Sequence, residues 1–102
     1  MGKNSVIQSL SRCIGNVVMH KLLLAHTNKP ESKPKLKHEI EEYGEDALEK
    51  AQEFNWNEYD KEEIKEKSIE RVHVLAEYYP DVKFEEKELE KFLDETLEDM
   101  KI

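Results

Sequence analysis

Between Val6 and Ala25 the apolar residues recur at intervals of three and four: Val6, Ile7, Leu10, Cys13, Ile14, Val17, Val18, Leu22, Leu24 and Ala25. Such spacing follows the 3.6-residue period of a helix and excludes the strict alternation of a half-buried strand. No proline interrupts residues 4–26, and the only glycine there is Gly15. The stretch therefore predicts one long helix. Most of a helix's stability in a protein comes from packing its apolar face, so this one needs further elements against it.

The remaining face of this helix carries Asn4, Ser5, Gln8, Ser9, Ser11 and Asn16, which are polar but uncharged. Solvent-exposed helix faces ordinarily carry charges. Elsewhere this chain uses Lys and Glu freely, so the face is expected to be covered. Two coverings suit it. A second copy or another protein could lie on Ser5, Ser9, Arg12, Gly15 and Asn16, the candidate interface residues. Alternatively, helix one is the centre of a monomer wrapped by the other helices. Small residues four apart, Ser11 with Gly15, permit close helix approach in either case.

Residues 27–33 form a linker with Pro30, and Pro34 follows it. Ser32 is the expected N-cap of a second helix over 34–54, with Leu36, Ile40, Tyr43, Ala47, Ala51 and Phe54 as its stripe. Gly44 interrupts that helix at a cost of about 1 kcal/mol, which a kink or a close helix crossing would explain. A third helix is predicted over 60–78, with Asp60 and Glu63 as a capping box and Pro80 as its stop. A fourth runs over 84–100 on Leu89, Phe92, Leu93, Leu97 and Met100. Residues 1–102 thus read as a single all-α domain: a four-helix bundle, up-down-up-down, with a long N-terminal helix. Its core should contain Ile40, Leu48, Val72, Leu75, Leu89 and Phe92. Aromatic residues at the two ends, Phe54, Trp56 and Tyr59 against Tyr78, Tyr79 and Phe84, are expected to plug the bundle.

Charged residues make up 39% of the chain and the net charge is −8, which disfavours a nucleic-acid partner at long range. The charge is uneven. Residues 1–38 carry +6 and the remainder −14. Only the basic third, with Lys29, Lys33, Lys35, Lys37 and His38, offers an anion or nucleic-acid surface. No aromatic residue interleaves it, as single-strand binding would favour. The plainer expectation sets these lysines against Asp81, Glu85 and Glu86 at the start of helix four. The lone Cys13 has no disulfide partner within the chain and suits a reducing, cytoplasmic setting. Val17 to Ala25 is interrupted by His20 and Lys21 and is too short to span a bilayer. The first 30 residues hold no acid, a feature shared with transit peptides, but their helical core spacing favours an ordinary first helix. Abundant Glu and Lys with only Gln8 and Gln52 as glutamines gives a thermophile-like composition.

Catalytic patterns are incomplete. Glu70 and His73 make a single Glu-x-x-His, whereas a di-iron bundle needs two plus further glutamates. His38 with Glu42, and His73 with Glu77, are two-ligand pairs that make weak metal sites. Glu39 and Glu42 match half of the carboxylate pattern of helical nucleotide pyrophosphatases, but no Glu is followed by Asp three residues later. Neither a phosphate loop nor zinc spacing occurs. The expectation is a non-enzymatic protein without metal or cofactor. It would act through protein–protein interaction, most simply as a homodimer through helix one. The alternative is anion or nucleic-acid binding through Lys29 to His38.

Overall fold

The structure, a computed structural model, describes residues 2–102. The described residues form four helices, α1 (Lys3–His26), α2 (Lys33–Ala51), α3 (Glu58–Ala76) and α4 (Glu86–Asp99), with a 3-10 turn at Pro30–Ser32. There is no strand among the described residues. Among the described residues, no helix is long and apolar enough to cross a membrane.

Helix α1 is the hub. Each of the other three packs along it, α3 and α4 meet over only a few residues, and α2 and α3 scarcely touch. Leu10, Ile14, Val18 and Leu22 of α1 have no exposed surface and Ile7 only 1%. They meet Ala47 and Ala51 of α2, Ile64 and Val72 of α3, and Leu89 and Leu93 of α4 in one cluster. Each fully buried Leu, Ile or Val contributes about 1.5–3 kcal/mol from removal of apolar surface from water. The helix with most such residues therefore takes the centre.

This hub differs from a bundle of four equal corners, and it changes the expected core. Val72 and Leu89 are fully buried, but Ile40, Leu48, Leu75 and Phe92 are only half-buried. With α2 and α4 each lying on α1 along one line, the outer part of each stripe has nothing over it. The aromatic plugs also divide. Trp56 packs on the core and its Nε1 donates to the Ala51 carbonyl at 2.9 Å, with the Phe54 ring 5.7 Å away. Tyr59 and Tyr78 instead stand 78% and 76% exposed.

Local signals move the helix ends slightly. Asn57 is the cap of α3: its side chain accepts from the Asp60 backbone N–H at 2.8 Å, and the Asp60 carboxylate accepts from the Asn57 N–H at 3.2 Å. Asp60 is thus the third helical residue of the box, where the sequence pattern set it as the cap. Ser32, the last residue of the 3-10 turn, occupies the N-cap position of α2 as expected, but its side chain makes no capping hydrogen bond. Gly44 sits in an unbroken helix with no neighbouring atom within 4 Å of a built Cβ, so no close crossing requires it.

Polar links fix how the outer helices lie on α1. Lys3 pairs with Asp60 at 2.5 Å, and the Arg71 side chain meets Asn16, so α3 lies beside α1 in the same direction. Antiparallel placement of α2 follows from His20 against Glu39 at 2.7 Å together with Ser5 and Ser9 near Glu49 and Glu53. His26 against Glu88 at 2.7 Å and Lys21 against Thr96 at 3.0 Å do the same for α4.

Candidate interaction surface

Helix α1 is open to solvent on one side of its N-terminal half. Asn4, Ser5, Gln8 and Arg12 are exposed there, and Ser9 is half-buried. Met19 and Leu23 lie seven and eleven residues beyond Arg12, on the same side of the helix, and are buried at 1% and 8% exposure. The strip therefore ends about halfway along α1. Its floor carries a single charge, Arg12.

The two sides of the strip belong to α2 and α3. On the α2 side, Ser5, Val6 and Ser9 share a hollow of about 460 Å³ with Glu49, Lys50 and Glu53. Half-buried Cys13 adjoins this side; burial pushes its thiol up, partly opposed by Lys50. On the α3 side, the Arg71 Nε donates to Asn16 Oδ1 at 3.2 Å. The Arg71 chain also lies over Gly15: a Cβ built on Gly15 would stand 2.5 Å from Arg71 Cγ and 3.1 Å from the Ser68 carbonyl oxygen.

Of the five candidate interface residues, Ser5, Ser9 and Arg12 line the strip. Gly15 and Asn16 do not. Gly15 is buried where α3 crosses α1, and Asn16 is engaged by Arg71. The small-residue pair Ser11 and Gly15 thus serves the chain's own helix crossing. Ser11 is 2% exposed and its hydroxyl has no hydrogen-bond partner among the described residues. Arg71 carried no local signal in the sequence, because its role exists only where α3 crosses Gly15.

The basic patch is open as well. Lys29, Lys33, Lys35, Lys37 and His38 are all exposed. Among the described residues, none of the four lysines has a carboxylate within 4 Å, while His38 sits 3.0 Å from Glu42 on its own helix. The expected apposition to the start of α4 does not form: Glu86 pairs with His73 at 3.0 Å, and Asp81 and Glu85 pair with no lysine. The cause is packing, since α2 and α4 rest on α1 and not on each other. Glu70 is exposed, and among the described residues it forms no ion pair, with His73 or otherwise. No group of three or more His, Cys, Asp or Glu is placed to hold a metal ion among the described residues.

No family model matches the chain, and no curated protein and no solved structure matches it significantly.

Proposed function

We propose that this protein acts by association with another protein chain, without catalysis of its own, and that the open strip on α1 is the contact surface. A second copy of the chain is the simplest partner. The observation that carries this reading is the chemistry of the strip: an almost uncharged floor of Asn, Ser and Gln set beside charged walls, on the helix that supplies most of the core. A serine-rich floor lets a partner helix approach closely and still form side-chain hydrogen bonds. A two-fold arrangement sets a surface against itself, which an uncharged floor tolerates. Arg12 of one copy and the Glu49–Glu53 wall of the other supply opposite charges.

Sedimentation of the purified chain tests this. The expected mass is twice the 12.1 kDa of one chain, returning to the single-chain value in Ser5→Glu and Ser9→Glu with helix content unchanged. A mass of one chain at high concentration removes the homodimer.

A second reading rests on the lysines without carboxylate partners at Lys29, Lys33, Lys35 and Lys37: an anion or nucleic-acid contact, with His38 beside them. Its mark is RNA binding that falls steeply with added salt and vanishes in Lys33→Glu/Lys35→Glu/Lys37→Glu. Absence of binding at low salt removes this reading, since electrostatic affinity is greatest there.

A further inference from the structure

The two halves of α2 are held unequally. The second half buries Ala47 and Ala51, at 0% and 6% exposure. The first half buries nothing: no residue of 33–43 is buried, and of these only Leu36 packs on the core cluster. Its boundaries are weak as well. Residues 27–29, ahead of the 3-10 turn that leads into it, have no regular structure. Behind it, Gly44 sits in mid-helix, where a glycine weakens the helix locally. A stretch with so few buried contacts opens before the rest of a fold does.

Among the described residues, the polar link between this first half and α1 is made at His20. The imidazole Nδ1 lies 2.6 Å from the Asn16 carbonyl oxygen, and Nε2 lies 2.7 Å from the Glu39 carboxylate. The Tyr43 ring stands 5.4 Å away, tilted against it. A carbonyl and a carboxylate oxygen only accept, so the ring satisfies both with a proton on each nitrogen, as the imidazolium. Either neutral tautomer sets a nitrogen lone pair against an oxygen. Water screens this pair least: the His20 side chain is 15% exposed, against 33%, 51% and 67% for His26, His73 and His38 in their own glutamate pairs. Of the neighbouring cations, Lys21 is turned to Thr96 and Glu95 of α4, and Arg71 of α3 to the Asn16 side chain.

We propose that residues 33–43 are a strap over α1, hinged at Gly44 and latched by protonated His20, which closes on the acid side of neutrality and opens on the alkaline side. Histidine changes charge between about pH 5 and 8. The latch exists in the charged form, so the stability it adds is present at the lower pH and is lost as His20 gives up its proton. Opening lifts Lys37, Ile40 and Glu41 from Leu24 and Ala25 of α1, which they adjoin. Lys33 and Lys35 move with them. The second half of α2 stays in place, anchored by Ala47 and Ala51.

Residue-resolved hydrogen exchange of the full chain tests this, at about pH 5.5 and about pH 8, with each rate corrected for the intrinsic rate at that pH. The amides of residues 37–43 bond to carbonyls within the strap. Their protection should be about tenfold greater at the lower pH, while that of residues 48–51 stays the same. In His20→Gln and in Glu39→Gln the strap amides should lose this dependence and be the less protected at the lower pH. His38→Gln removes the exposed pair with Glu42 inside the strap and should keep the dependence. Unchanged circular dichroism identifies the folded variants, and Glu39→Gln carries the test if His20→Gln does not fold. Equal strap protection at the two pH values overturns the proposal, as does a pH dependence that survives in Glu39→Gln or disappears in His38→Gln. Protection of residues 48–51 that changes in step with 37–43 also overturns it, by making α2 one unit without a hinge.

Discussion

Arg71 lies directly across Gly15: its Cβ and Cγ occupy the space that any side chain at position 15 would need, 2.6 and 2.5 Å from the built Cβ. The glycine is there for proximity, since its backbone is ordinary helix.

Gly15→Ala should therefore destabilise the protein. Alanine is the better helix former by about 1 kcal/mol, but displacing the root of Arg71 and the Ser68 carbonyl incurs an overpacking cost of about 1–3 kcal/mol. Thermal unfolding should show a lower midpoint. A raised midpoint would mean that the helix crossing is looser than described.

Gly44→Ala should do the opposite. Apart from its chain neighbours and its own helix backbone, nothing among the described residues lies within 4 Å of a Cβ at that position, and the residue sits in mid-helix. The gain from the smaller backbone entropy loss is about 0.5–1 kcal/mol, readable as a higher denaturation midpoint in urea.

Ser11→Ala is expected to stabilise. The hydroxyl is buried without a hydrogen-bond partner, and such a group carries a desolvation penalty of about 1–3 kcal/mol. A marked loss of stability on this substitution would reveal a partner for the hydroxyl.

Asp60 governs an acid-sensitive contact. Its carboxyl is held below the usual range by the Lys3 side chain and by the Asn57 backbone N–H, against the opposing effect of burial. A group whose folded-state value is depressed contributes stability above its unfolded value, near 3.9, and loses it as pH falls through the folded one. Wild-type stability should therefore drop below about pH 4, with a shallower acid limb in Asp60→Asn. Identical acid limbs would dissociate the pair from stability.

Cys13 should be slow to alkylate. The thiolate is the reactive form, and burial raises this thiol's pKa with only partial compensation from Lys50. Iodoacetamide at neutral pH should label it more slowly in the folded chain than in urea. Equal rates would contradict the burial.

What the sequence by itself determined is the set of helices and which side of each is apolar. The three-and-four spacing of Leu10, Ile14, Val18 and Leu22 marks a buried face whatever lies against it, because periodicity is a property of one helix. The uncharged run Asn4, Ser5, Gln8 and Ser9 was legible in the same local way. Which partner covers a face is another matter. Only the tertiary structure decided that α1 is the hub, since the choice depends on summed burial across all four helices. That decision turns Gly15 inward beneath Arg71, engages Asn16, and leaves Ser5, Ser9 and Arg12 as the open strip. It also parts α2 from α4, leaving Ile40 and Phe92, more than forty residues apart in the chain, half-covered along one groove. A contact of that kind has no local sequence signature. It exists because two helices rest on a third and not on each other.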